Sequence, residues 1–497
     1  YQKAIDRFEK AIKINPNISN THNNLGSAFT ELDKHQKAID CYEKAIEINP
    51  NFTEAHFNLG TLLKESGTHL KAINCFEKAI KINPNYINAY NNLGILFKEL
   101  GDNEKAIDCY NKIIEIDPSN SPAYINLASA FASSEEYIRA FNYNKKALEL
   151  DPNNTNSINN LMGLLQFLIF EDEIKNNTSN FRKLLLFLFR KNNINHSQIS
   201  SNIVALLFEL CDGELQEIVN SDLILLDNTS IHKLLKEELF YLTLQKSLVT
   251  NLIFEKLITK LRYEILFTLG KNNTILKEHF NFIMSLAEQS WLNEYVHIIS
   301  ENEINQIKQL KNKIEKDIEI NELEISILGC YLPLNSSKII ENKLKNYTSS
   351  NILFNDLIKV QIKEPLREIE LKKTIKSLDL INDEVSKKVQ LQYEENPYPR
   401  WRYSHTFRSE NFLVELNSQI KPNMILHNNK FDNPNVLIAG CGTGGHTMSA
   451  TAYKNANILG VDLSLTSLSY AKRKTEELGF KNIEFLHADI LQLKKLN

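Results

Sequence analysis

The chain lacks any apolar run long enough to cross a bilayer. Its longest, such as Leu161–Phe170 and Leu184–Phe189, fall far below the ~20 residues a membrane helix needs. No signal peptide is visible, and the chain opens at Tyr1 in mid-pattern, so a true N-terminus is expected upstream. An excess of one charge is lacking too: 57 Lys and Arg stand against 61 Asp and Glu, a formal net charge of −4. Such a balance gives no pull toward nucleic acid or an anionic membrane, and neither is expected as a partner. Cysteine is scarce. Of six, Cys41, Cys75 and Cys109 lie 34 residues apart in one equivalent position, and Cys211, Cys330 and Cys441 are isolated. None has metal-ligand spacing, so no metal is expected, and the pattern fits a reducing, cytoplasmic compartment. Length argues for roughly three domains, at about 100–200 residues each.

What is present begins with a period. Pro16, Pro50, Pro84, Pro118 and Pro152 are each 34 residues apart. Ala4, Ala38, Ala72, Ala106 and Ala140 keep the same phase, as do Leu25, Leu59, Leu93, Leu127 and Leu161. Gly26, Gly60 and Gly94 follow their leucines, with Ala128 and Met162 in that place later, and Phe8, Tyr42, Phe76 and Tyr110 follow their alanines by four. The first helix of each unit then carries Leu-Gly where two backbones pack closely. The second carries Ala and an aromatic on one face, and proline stops it. This pattern resembles the tetratricopeptide repeat, a helix–turn–helix solenoid, over residues 1 to about 168. In that phase the chain opens near the start of a second helix, runs through four full repeats, and ends on a capping helix over 155–170. Asn144 replaces the expected aromatic.

Asn24, Asn58, Asn92, Asn126 and Asn160 each precede the in-phase leucine. In tetratricopeptide proteins this position faces the concave groove, where amides can hydrogen-bond an extended peptide backbone. The register resembles the asparagine ladder of O-GlcNAc transferase repeats, and it implies a protein or peptide partner. The competing reading is a consensus residue that serves the scaffold.

Residues 169–385 carry apolar residues at three- and four-residue spacing, as in Leu234, Leu235, Leu239 and Leu242, without proline until Pro333 and Pro365. This predicts an all-α region. His196, His232, His279 and His297 are scattered and are given no chemical role.

Residues 392–401 read Gln-Tyr-Glu-Glu-Asn-Pro-Tyr-Pro-Arg-Trp. Prolines on both sides of Tyr398 force an extended segment. One reading makes it a lid over a ligand pocket, with Arg400 pairing a carboxylate and Tyr393 or Tyr398 donating a hydroxyl. The other makes it an inter-domain brace packed by Trp401.

The stretch Val436-Leu-Ile-Ala-Gly-Cys-Gly-Thr-Gly-Gly445 runs from an apolar strand into four glycines, Gly440, Gly442, Gly444 and Gly445, and Asp462 closes a second strand. Strand, glycine turn, helix and acid suit a nucleoside-containing cofactor. Gly440, Gly442 and Gly445 fit a dinucleotide fingerprint; Gly440, Gly442 and Gly444 fit a tighter GxGxG. A helix from about Leu465 to Leu478, ended by Gly479, then precedes a third strand, Ile483–Leu486, that leads to Asp489.

With that second acid, residues from about 385 resemble the class I S-adenosylmethionine-dependent methyltransferases. The whole chain is similar to bacterial proteins that join tetratricopeptide repeats to such a domain. The resemblance implies that Gly440, Gly442 and Gly444 flank the methionine part of S-adenosylmethionine. Asp462, with Leu463 beside it, would hold the ribose hydroxyls, and Asp489 with the backbone of Ile490 the adenine. Ile438 stands where many members carry an acid, so the group for the cofactor's amino end is open, with Glu394 and Glu395 of the hinge segment as candidates.

The expected architecture is mainly α: a repeat solenoid at 1–168, an all-α region at 169–385, a hinge or lid segment at 386–434, and the first half of a Rossmann-like domain at 435–497. The expected function is an S-adenosylmethionine-dependent methyltransferase with a peptide-binding solenoid. The competing class is a non-enzymatic scaffold with a vestigial nucleotide domain. Three strands of a usual seven are counted, so this stretch is expected to bind cofactor poorly and not to turn over. The acceptor, a catalytic base and the oligomeric state are not legible.

Overall fold

A computed structural model describes residues 1–169, 171–211, 213–221, 224–379, 381–395, 400–403 and 433–495. Two compact units result, Tyr1–Leu168 and Ile169–Asn497.

The first unit is ten helices in antiparallel pairs: α1 (Gln2–Ile14), α2 (Ser19–Thr30), α3 (His35–Ile48), α4 (Thr53–Glu65), α5 (His69–Ile82), α6 (Ile87–Glu99), α7 (Asn103–Ile116), α8 (Ser121–Ser133), α9 (Tyr137–Leu150) and α10 (Thr155–Phe167). The in-phase residues form its core. Ala38, Ala72, Ala106 and Ala140 are fully buried, and Leu25, Leu59, Leu93, Leu127 and Leu161 are nearly so. After Pro16 and Pro50 the chain re-enters a helix with help from the next repeat, where the His22 ring bonds the Pro16 carbonyl at 2.9 Å and His56 bonds that of Pro50 at 3.0 Å. Within repeats the turn needs one left-handed residue. Gly67 and Gly101 supply it, and Asp33 and Glu135 adopt it at φ 53° and 61° without that freedom.

The in-phase glycines meet aromatic rings rather than a second backbone. A Cβ on Gly26 would stand 2.6 Å from the Tyr42 ring, on Gly60 2.9 Å from Phe76, and on Gly94 2.7 Å from Tyr110. Each glycine is the seat of the aromatic on the partner helix, whose burial contributes about 1.5–3 kcal/mol. The fourth pair explains Asn144: Ala128 restores the Cβ, and the smaller, buried Asn144 takes the ring's place, bonding the Ala140 carbonyl at 3.1 Å.

The second unit opens with helices packed on one another. Helix α11 (Glu238–Lys246) lies against α12 (Phe280–Leu292), in which every residue from Phe282 to Leu292 is buried. A helix covered on all sides is the centre of its region. Helix α13 (Glu364–Lys372) then leads to β1 (Lys376–Ser377), and α14 (Glu384–Glu395) follows. The remaining elements alternate: β2 (Asn435–Ala439), α15 (Gly445–Ser449), β3 (Asn457–Asp462), α16 (Leu465–Glu477) and β4 (Ile483–His487). The four strands form one parallel sheet in the order β1-β4-β3-β2, with Ala439 opposite Val461 and Asp462 opposite His487. The three strands expected after residue 435 are present, and the sheet recruits a fourth from the stretch read as helical. Two residues are too short to carry a period.

Helix α13 packs on α16 through charge. Arg473, 5% exposed in its side chain, reaches Glu364 at 3.1 Å, Glu368 at 2.8 Å and Glu477 at 2.6 Å. The sheet is thereby fixed to the helices before it.

Candidate cofactor site and its brace

Strand β2 ends at a turn built on three left-handed glycines. Gly440 (φ 70°) and Cys441 both donate their N–H to the Val461 carbonyl, at 2.8 and 3.0 Å, so the turn folds back over the end of β3. Gly442 (φ 51°) donates its N–H to Asp462 Oδ2 at 2.8 Å. Gly444 (φ 89°) is the N-cap of α15, and a Cβ there would lie 2.7 Å from that of Ala471. It therefore needs both its conformation and its lack of a side chain. At Gly440 and Gly442 no atom of the described residues, chain neighbours aside, lies within 4 Å of a built Cβ.

Asp462 holds two elements at once. Its Oδ1 accepts the Ser464 N–H at 2.9 Å while Oδ2 holds Gly442. A carboxylate with one amide on each oxygen keeps acceptor capacity for two hydroxyls. Ser464 caps α16 through the Ser467 N–H at 3.0 Å. The Leu463 carbonyl accepts from the His487 ring at 2.9 Å. Asp489 is 1% exposed and accepts the Leu491 N–H at 2.9 Å, whereas Ile490 beside it is exposed. A ligand amine reaches Asp489 only by displacing what covers it. Cys441 is buried, and burial, with Asp462 adding to it, holds its thiol far above the usual range. It stays protonated and is no nucleophile.

Among the described hinge residues, Glu394 and Arg400 pair with protein side chains, and Tyr393 is engaged through its backbone. The exposed Tyr393 offers its carbonyl to the Ser464 hydroxyl at 3.0 Å. Burial would raise Glu394, but hydrogen bonds from Thr466 and the charge of Lys372 outweigh it, and its pKa is lowered. Its carboxylate takes the Thr466 N–H at 3.3 Å, the Thr466 hydroxyl at 2.5 Å and the Lys372 ammonium at 3.3 Å. It sits on the first turn of α16, where a helix favours an anion, and is already spent there. Tyr398 and the side chain of Glu395 lie outside the described residues. Arg400 does pair a carboxylate, but it is Glu294 of the helical region, and its guanidinium lies 3.8 Å from the Trp291 ring centroid.

The comparisons with known proteins fall on the two ends of the chain. Models described as tetratricopeptide repeats match residues 19–52, 87–120, 41–74 and 121–154, and one described as TPR repeat matches 62–101. A model described as a methyltransferase domain matches residues 430–497. The chain joins tetratricopeptide repeats to a methyltransferase domain.

An uncharacterized protein of Rickettsia prowazekii (strain Madrid E) is 40% identical over 63 residues, 12% of this chain and 11% of that protein. A tRNA (guanine-N(7)-)-methyltransferase of Rubrobacter xylanophilus (strain DSM 9941 / JCM 11954 / NBRC 16129 / PRD-1) is 44% identical over 64 residues, 13% of this chain and 29% of that enzyme. The crystal structure of MamA is 30% identical, covers 30% of this chain and 86% of that one, and has a TM-score of 0.29. The chain spans 11% to 42% of the length of the curated relatives it matches.

In the tetratricopeptide repeats the ladder amides also have internal partners. Asn58 Nδ2 donates to Asn23 Oδ1 at 3.0 Å and Asn126 Nδ2 to Asn91 Oδ1 at 2.9 Å, each bond spanning two repeats. Asn160 donates to Asn144 at 3.3 Å, Asn92 to the Asn88 carbonyl at 3.3 Å, and Asn24 is exposed. The period in the sequence placed these residues but not these bonds.

Beside the methyltransferase domain, the sequence left several contacts unread. The Trp401 indole N–H donates to the Thr443 carbonyl of the glycine turn at 2.9 Å, and Arg402 pairs with Glu288, which is fully buried on α12. His232 and His279 share a hydrogen bond at 2.6 Å. Among the described residues no group of three or more His, Cys, Asp or Glu can hold a metal ion, and no helix is long and apolar enough to cross a membrane.

Proposed function

We propose that the chain is an S-adenosylmethionine-dependent methyltransferase whose repeats capture a protein or peptide, as acceptor or as docking partner. The carrying observation is Asp462, which stands at the carboxyl end of a parallel strand and ties the glycine turn to itself through the Gly442 N–H. Ligands of open parallel sheets bind at that end.

In this reading the backbone of Gly440, Gly442 and Gly444 receives the methionine end of the cofactor. Asp462 accepts the ribose hydroxyls, and Leu463, Asp489 and Ile490 border the adenine. The bound cofactor supplies an electrophilic methyl carbon on a sulfonium. The chain's own contribution is to bind and orient, and proximity of this kind lowers a displacement barrier without a protein nucleophile. We take 435–497 as the part of the domain that holds the cofactor, 386–434 as the hinge, 169–385 as a supporting helical region and 1–168 as the recruiting solenoid. Six free cysteines fit a cytoplasmic setting. The tRNA methyltransferase shares 64 residues with this chain, and its acceptor is not carried over.

Thermal melting of the chain with S-adenosylhomocysteine, with NAD and with neither tests the reading. S-adenosylhomocysteine should raise the melting temperature and NAD should not, because only a ligand of the folded state stabilises it. A rise with NAD alone would move the site to the dinucleotide class.

A further inference from the structure

Residues 400–403 form a short brace with Trp401 at its centre. Its backbone is held on both sides by one residue of α16: the Trp401 N–H donates to the Tyr470 hydroxyl at 3.0 Å, and that hydroxyl donates to the Trp401 carbonyl at 2.5 Å. The next residue of the same helix, Ala471, is the one that seats Gly444. The indole then reaches the turn itself, donating to the carbonyl of the buried Thr443, one residue before Gly444. The Thr443 carbonyl thus takes a donor from outside the domain's own sheet and helices.

The flanking residues fix the brace to the helical region. Arg400 pairs with Glu294 and stacks on Trp291. Arg402 pairs with Glu288 and donates to the Gln245 carbonyl at 3.2 Å, and its own carbonyl accepts from Lys474 at 2.6 Å. Tyr403 lies edge-on to His196, with ring centroids 5.0 Å apart. Burial raises Glu294, and the charge of Arg400 opposes that rise. Two arginines of one brace thus enter the helical region, and the tryptophan between them enters the cofactor turn.

We infer that Trp401 is a positioning residue for the glycine turn, held by the helical region so that the turn receives the amino-acid end of the cofactor. This rests on the cofactor reading above. The adenosine end is assigned to Asp462 and Asp489, whereas the hydrogen bonds of Trp401 among the described residues go to Tyr470 and Thr443. Loss of the indole N–H should therefore separate ligands that carry the amino-acid end from those that lack it.

The test uses the full chain, with S-adenosylhomocysteine and 5′-methylthioadenosine as probes, in wild type, Trp401→Phe and Tyr470→Phe. Calorimetry should show S-adenosylhomocysteine weakened about tenfold in Trp401→Phe, as expected for one lost hydrogen bond, with methylthioadenosine unchanged. Tyr470→Phe should show the same split, smaller. In the ligand-free protein, hydrogen exchange over Gly442–Met448 should quicken in Trp401→Phe while β4 is unaltered. Equal weakening of both ligands, or an unaltered turn, overturns the inference. If wild type binds neither probe, the cofactor reading falls, and the exchange result alone still decides whether Trp401 positions the turn.

Discussion

The carboxylate of Asp462 accepts the N–H of Gly442, twenty residues earlier, at 2.8 Å. The acid assigned to a ligand is thus also a structural tie between β3 and the turn. Asp462→Ala strands the amides of Gly442 and Ser464 and should cost about 1–3 kcal/mol before any ligand is added. Asp462→Asn keeps one acceptor oxygen and should cost less. Chemical denaturation followed by hydrogen exchange on β3 measures both, and equal stability of wild type and Asp462→Ala would count against the tie.

Gly94 and Tyr110 are a matched pair. Gly94→Ala should destabilise the repeats by about 1–3 kcal/mol through overpacking. Tyr110→Asn alone leaves a cavity and should cost about 3–5 kcal/mol. Combined, they recreate the Ala128–Asn144 arrangement, and the double variant should cost at least about 1 kcal/mol less than the sum. Urea unfolding by circular dichroism reads this, and strict additivity would reject the ring-on-glycine account.

The ladder has two separable roles. Replacing Asn58, Asn92 and Asn126 with Ala should weaken capture of a partner and leave cofactor affinity unchanged. Asn23→Ala and Asn91→Ala remove only the inter-repeat acceptors, at about 1 kcal/mol each, and should leave capture intact. If the second pair abolishes capture as fully as the first set, the ladder serves the scaffold.

His196 gives the fold an acid-sensitive point. Its Nε2–H donates to the Lys191 carbonyl at 2.9 Å, and its buried Nδ1 has no hydrogen-bond partner among the described residues. Burial first, and the Lys246 charge second, bring its pKa down to about 3. Below pH 6.5 the unfolded chain takes up a proton that the folded chain refuses. Stability is therefore full above pH 6.5 and falls as pH drops toward 3, by about 1.4 kcal/mol per unit at most. Between pH 7 and pH 5, wild type should lose about 2 kcal/mol more than His196→Gln. Parallel losses in the two proteins would exclude His196 as the cause.

The parts legible in the sequence were those with a period or a fixed spacing. Proline, alanine and leucine at one phase marked every helix of the solenoid, and the glycines with Asp462 and Asp489 marked three strand ends. Partners were less legible than positions. The sequence placed Gly26 at a close contact but could not say that the Tyr42 ring fills it. It flagged Arg400 and Trp401 by density alone, since an extended segment has no period to say where its side chains turn. Glu288, the partner of Arg402, lies 114 residues upstream. Lys376–Ser377 joins the sheet with two residues, too few to alternate.

The central claim is a cofactor site organised by Asp462, and calorimetric titration of the full chain with S-adenosylhomocysteine tests it most directly. Wild type should bind weakly at one site, and Asp462→Asn, folded and melting near wild type, should bind at least about tenfold more weakly still, since each hydrogen bond to a charged group contributes about 1.5–3 kcal/mol. No binding by wild type, or equal binding by Asp462→Asn, would contradict it.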